Sequence, residues 1–148
     1  MTESQSLYND SSSLMATIGL SLVEISVSRH RDSVAVRAVV YRKGGTGIDD
    51  CSRAHRLLQA RLDEMPDMEN YSLETTSPGI DRVIADGREY GIFAGKGVRL
   101  FLDTTGEVAG IIESADSANV TITTPDGSIS IPLSSIRKGK LDHSQEGR

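Results

Sequence analysis

The chain reads as an α+β protein in two parts. The first is an N-terminal α/β domain (helix, three-stranded sheet, helix), and the second a C-terminal small antiparallel β-barrel. Three observations predict this. One stretch of helical period, residues 48–65, lies among segments of alternating, β-type period. After Asp86-Gly87 only short apolar runs separated by turn signals remain, the pattern of a small barrel. A length of 148 residues accommodates one domain or two small ones.

In chain order, Met1 to Ser13 is rich in Ser, Asn and Asp and is expected to be a loose tail. A short helix through Leu14, Met15 and Ile18 comes next and ends at Gly19. Leu20 to Ser28 alternates, with Val23, Ile25 and Val27 on one face of a strand. Arg29-His30-Arg31-Asp32 is a polar turn. Ser33 to Tyr41 is a second strand, with Val34, Val36, Ala38 and Val40 on one face. So short a turn predicts antiparallel pairing. Arg42 to Gly47 is a flexible link. The helix over 48–65 carries Ile48, Cys51, Leu58, Leu62 and Met65 as its apolar stripe, with Arg53 and Arg56 nearly opposite. Asp49 and Asp50 in its first turn complement the helix dipole, and Pro66 stops it. Tyr71 to Thr76 is a third strand, followed by the Ser77-Pro78-Gly79 turn signal.

The second part holds strands over 98–102, 107–113, 120–124, 128–133 and 136–141. The turns fall at Thr104-Thr105-Gly106, Ser114 to Ala118 and Pro125-Asp126-Gly127. A boundary is expected near Ala85, giving domains 1–84 and 85–148, the latter ending in a loose tail over 143–148. Domains this small bury only about 60% of their unfolded surface, so both should be modestly stable.

Composition narrows the function. There are 16 basic and 21 acidic residues, a net charge of −5, which argues against a wholly electrostatic nucleic-acid binder but not against a local basic patch. Four Tyr, two Phe and no Trp leave little for stacking on single-stranded bases. A single cysteine, Cys51, excludes an internal disulfide and a multi-cysteine zinc site. No apolar run approaches a membrane span. The polar N-terminus shows no signal-peptide pattern, so a cytoplasmic location is expected.

Each candidate for chemistry has a plainer counterpart. Cys51 and His55 are four apart on a helix, the start of a nucleophilic site, but Cys51 belongs to the apolar stripe and reads better as a core residue. Asp49, Asp50 and the three histidines lack metal-ligand spacing, so no metal or cofactor is expected. Gly44-Gly45-Thr46-Gly47 lacks the Lys-Ser/Thr of a phosphate loop and reads as a loop ending in a glycine N-cap. Ser77-Pro78-Gly79-Ile80-Asp81-Arg82 is the most unusual stretch. Pro-Gly fits a type II turn. Asp81 and Arg82 beyond it form either an ionic pair orienting two domains or a rigid presentation of Arg82 to a phosphate or carboxylate. Arg137, Lys138 and Lys140 form the one local cationic run.

Several of these stretches together resemble the bacterial ribosome maturation factor RimP family. They are Gly19-Leu20-Ser21-Leu22-Val23-Glu24-Ile25, Gly47-Ile48-Asp49-Asp50-Cys51-Ser52-Arg53 and, above all, Tyr71-Ser72-Leu73-Glu74-Thr75-Thr76-Ser77-Pro78-Gly79-Ile80-Asp81-Arg82. The order Phe93-Ala94-Gly95-Lys96-Gly97-Val98, Ile131-Pro132-Leu133 and Ile136-Arg137-Lys138 also matches. Val83 replaces the family's proline, and His55 and Gly47 replace its usual Ser and side-chain N-cap. The resemblance implies a C-terminal Sm- or SH3-like barrel and a non-enzymatic assembly factor for the small (30S) ribosomal subunit. Such a factor would bind the immature particle, aid folding of its RNA, and promote entry of a basic ribosomal protein near the decoding centre. The positions matching the family motif are Asp49, Asp50, Ser77, Pro78, Gly79, Asp81 and Arg82. RNA or ribosome contact is expected at Arg53, Arg56, Arg82, Arg137, Lys138 and Lys140, from a monomer with no membrane partner. The competing readings are a general Sm-like RNA-binding regulator acting away from the ribosome, and an enzyme using Cys51.

Overall fold

The computed structural model describes residues 3–103 and 106–146. The chain forms two compact units, divided between Pro78 and Gly79. In the first, helix α1 (Glu3–Ala16) precedes strands β1 (Ser21–Arg29) and β2 (Val34–Tyr41), helix α2 (Ile48–Asp63) and strand β3 (Tyr71–Thr76). The strands lie in the order β1-β2-β3. β1 pairs antiparallel with β2, as its short turn requires, and Val23 is a bulge between the Leu22–Val40 and Glu24–Val39 pairs. β2 and β3 are parallel. A parallel pair needs a crossover, and α2 is that crossover.

The alternation of β2 sets this core. Val34, Val36, Ala38 and Val40 are all buried, and they join Leu22 and Ile25 of β1, Leu7 and Met15 of α1, and Ala54, Leu58 and Leu62 of α2. Both helices therefore cover one face of the sheet. The expected loose tail is a helix instead. Leu7, Ser11 and Met15 recur every four residues and are buried, and the Tyr8 hydroxyl donates to the Leu22 carbonyl at 3.0 Å. Met1 and Thr2 of that tail lie outside the described residues. Ile48, expected in the apolar stripe of α2, is 85% exposed, at the first position of the helix and outside the buried core.

The second unit opens with the short helix α3 (Arg88–Ile92) and continues as β4 (Gly97–Leu102), β5 (Gly106–Ala115), β6 (Asn119–Thr124), β7 (Gly127–Pro132) and β8 (Ile136–Leu141). All five strands pair antiparallel in the order β7-β6-β5-β4-β8. A single 3-10 turn, Leu133–Ser135, joins the two outermost strands. Val98, Leu100, Ile112, Val120, Ile122 and Leu141 are buried with Phe93 and Tyr90. Thr104 and Thr105, the centre of an expected turn, lie outside the described residues.

Residues 79–84 belong to this second unit, ahead of the boundary expected near Ala85. Their backbone pairs with β8: Leu141 N–H donates to the Arg82 carbonyl (2.9 Å) and Ile84 N–H to the Gly139 carbonyl (2.8 Å). The expected C-terminal tail is also tied down over its described part. His143–Gln145 is a 3-10 turn, and Glu146 accepts from Gly97 N–H (3.0 Å) and from the Lys96 ammonium (3.2 Å).

Candidate functional site

The start of α2 is organised by Asp50. Gly47 is the N-cap, in extended conformation, and its N–H donates to Asp50 Oδ2 at 2.9 Å, half of a capping box. The other oxygen accepts from Arg42 Nε (3.0 Å) and Nη2 (2.8 Å) and from Arg53 Nη2 (2.9 Å). Arg42 also donates to the Ile18 carbonyl at 3.2 Å, so one guanidinium ties the end of α1 to the end of β2 and the start of α2. The Arg42 hydrogen bonds, then the one from Gly47, hold the Asp50 carboxyl well below the usual carboxylate range. Gly19 has a φ of +76°, and a Cβ there would meet Arg42 Nη1 at 3.3 Å, so this turn needs glycine for two reasons. The two motif carboxylates thus part company: Asp50 is buried and structural, whereas Asp49 is exposed.

Beside this network runs an open cleft of about 550 Å³, lined by Ile48, Cys51, Ser52, His55 and Arg56 from α2 and by Ser77 past the end of β3. His55 Nδ1 hydrogen-bonds Thr75 Oγ1 at 3.0 Å. Burial, and then the charge of Asp50, raise the Cys51 thiol, which keeps it protonated rather than nucleophilic. Arg56 is exposed and makes no ion pair among the described residues, whereas Arg53 shares Asp50 with Arg42.

The Ser77–Arg82 stretch differs from its expected geometry. Gly79 does not have positive φ, so Pro78-Gly79 is not a type II turn. The turn lies one step on, where Arg82 N–H donates to the Gly79 carbonyl at 3.2 Å and Ile80 stands at the tip, 78% exposed. The side chain of Arg82 does not pair with Asp81. It grips Glu89 of α3 through two bonds, Nε to Oε1 (2.8 Å) and Nη2 to Oε2 (3.0 Å). Glu89 is fully buried and also accepts from Ala85 N–H at 3.2 Å. The Arg82 side chain is only 11% exposed, so it clasps the entry of the chain to α3 and offers no open guanidinium to a phosphate.

The C-terminal cationic run is divided by the period of β8. Lys138 stands opposite Phe101 and Lys140 opposite Arg99 on β4, so these four share one face. The Lys138 ammonium lies 5.9 Å from the centre of the Phe101 ring, within cation–π range. Arg99 bridges Asp142 and Glu107, both at 2.9 Å. Arg137 is exposed and falls at the register shift between the Phe101–Lys138 and Leu102–Ile136 pairs, while Gly139 faces inward, where its missing Cβ admits the Tyr90 hydroxyl. Of the expected contact residues, then, Lys138 and Lys140 are neighbours on one face, Arg53 and Arg56 lie close together on α2, and Arg82 is committed elsewhere. Sequence reasoning missed Arg42 and Glu89, the partners that define both clasps.

Comparison with known proteins agrees with this layout. Residues 12–81 match the family model described as the RimP N-terminal domain. The chain is 30% identical over 139 residues to a ribosome maturation factor RimP of Borrelia turicatae, covering 94% of this chain and 96% of the relative. It is 29% identical over 141 residues to the protein of the same description in Borrelia hermsii, with 95% and 97% covered.

Proposed function

The chain belongs to the RimP family of ribosome maturation factors, and on that premise we propose that it is a non-enzymatic assembly factor for the small (30S) subunit in the cytoplasm. In this reading it binds the immature particle as a monomer, steadies small-subunit ribosomal RNA during folding, and aids entry of a basic ribosomal protein near the decoding centre. One observation carries the reading: in a chain of net charge −5, small groups of cations stand together as ledges on its surface, Arg53 and Arg56 on α2 and Lys138 and Lys140 beside Phe101 on the sheet. Such ledges contact a few phosphates each, while the acidic remainder repels extended RNA and attracts basic protein. Neither ledge holds an activated nucleophile, and the raised Cys51 thiol fits a binding role.

The test is co-sedimentation with immature small subunits, mature subunits and free RNA. The unaltered chain should travel with immature particles. Reversal of Arg56, Lys138 and Lys140 to Glu, with Arg53 left in place because it pairs with Asp50, should weaken that association strongly and leave the fold intact, since these side chains are exposed or half-buried. Equal binding to free RNA would favour a general RNA-binding regulator, and unchanged association of the reversed variant would sink the RNA ledges.

A further inference from the structure

Four strand edges bound the two sheets, and three of them are guarded. β1 has the Val23 bulge and carries Glu24 and Arg29. β3 carries Glu74, paired with Arg37 at 2.8 Å. The outer side of β8 is covered by the backbone of residues 82–84. β7 has none of these devices: its sequence, Gly-Ser-Ile-Ser-Ile-Pro, has no charge, its proline is terminal, and its register with β6 is unbroken. Ser128, Ile129 and Ser130 are exposed, Ile129 by 40%. Among the described residues no strand pairs with its outer side.

The register shows what that edge offers. Thr124 and Gly127 flank a two-residue hairpin loop, so they are a hydrogen-bonded pair, and the pairs alternate from there. Ser128 and Ser130 therefore turn their N–H and C=O groups outward. Pro132 falls in the same outward set, where its missing N–H costs the ladder nothing. On one face of β7, Ile129 sits beside buried Ile122 at the margin of the core. On the other, the hydroxyls of Ser128 and Thr123 both donate to Glu113, which places that carboxylate beside the edge. From Asp103 to Ile136 the chain has five carboxylates and no lysine or arginine.

We propose that the open edge of β7 docks an extended, cationic segment of a partner protein, which adds to the sheet as a further strand. The segment alternates basic and apolar side chains, the apolar ones extending the Ile129 margin and the basic ones meeting Glu113 across about 4.8 Å of strand spacing. This rests on the proposed function, in which the chain handles a basic protein, and it names the surface that holds it.

A synthetic peptide of alternating lysine and valine is the probe, with the full chain observed by amide hydrogen exchange and by titration. Exchange at Ser128 and Ser130 should slow on binding. Ser130→Pro removes an outward donor that β6 does not use, and should weaken binding about tenfold or more. Ile129→Lys, which places a charge on the edge, should do the same, and keeps the test intact if the proline variant fails to fold. A peptide alternating glutamate and valine should not bind. Equal binding of that peptide, protection elsewhere, or pairing of β7 with β7 of a second copy in preference to the peptide would overturn the proposal. No ribosomal particle is needed for these measurements, so their failure is distinct from a failure of the unaltered chain to co-sediment with immature subunits, which overturns the underlying reading.

Discussion

Each unit contains an arginine–carboxylate clasp, and the two differ in how far they are removed from water. At the start of α2, Asp50 is shared by Arg42 and Arg53, whose side chains remain 36% and 44% exposed. At the entry to α3, Glu89 is fully buried and Arg82 is 11% exposed. The chemistry is the same, but the consequences are not. A half-open pair gains little beyond its hydrogen bonds, since water replaces much of what a lost partner supplied. A buried carboxylate without its guanidinium has no such recourse. A motif containing charged residues can therefore reflect folding as readily as contact, and burial of the partner decides which.

The sharpest way to break this comparison is Arg82→Ala. It leaves Glu89 buried and uncompensated, and should cost about 3–5 kcal/mol, enough to unfold a small unit of modest stability. Urea denaturation followed by circular dichroism would measure it. The double variant Arg82→Met with Glu89→Leu should recover much of the loss, because an apolar pair of similar volume carries no desolvation cost. A single variant as stable as the parent would mean that Glu89 finds water or another donor.

A smaller effect is expected at Asp50→Asn. The substitution weakens the capping bond to Gly47 and removes the charge facing Arg42 and Arg53, but both guanidinia can rehydrate. The loss should be smaller than at Arg82 and comparable to that of a helix cap. It should also depend on pH. The carboxyl is held below its ordinary value in the folded chain, so its contribution is present above about pH 4 and is lost as pH falls through the folded value. Acid titration of the parent should show this loss, and the Asn variant a shallower one. Other depressed carboxyls, including Glu113 and Asp142, keep the variant from being flat.

The legibility of each feature in the sequence depends on how local its signal is. The valines of β2 and the leucines of α2 repeat with the period of their element, so their burial could be read directly. The helical stripe of Leu7, Ser11 and Met15 was hidden by serine-rich composition, and a buried serine does not register as apolar. The clasps were illegible for a different reason. Arg42 reaches Asp50 across a loop, and Arg82 reaches Glu89 on a five-residue helix with too few turns to show a period. The absence of cations from Asp103 to Ile136 was visible in the sequence all along. The net charge of −5 for the whole chain averages it away.

The last and smallest effect on stability belongs to Arg56→Glu, and it separates contact from folding most cleanly. Arg56 is exposed on α2, three residues beyond Arg53 and outside the Asp50 network. Exposed substitutions of this kind stay within about 0.5 kcal/mol of the parent. If the α2 ledge touches RNA, the reversal should nevertheless weaken association with immature subunits, and the weakening should shrink as salt rises, because screening removes the same interaction that the substitution does. Arg82→Lys supplies the contrast. It keeps the positive charge while losing the two-pronged grip on Glu89, so it should lower stability and leave the salt dependence of association unchanged. A variant pair behaving the other way round, with Arg56 mattering to the fold and Arg82 to the salt dependence, would exchange the roles assigned to the two arginines.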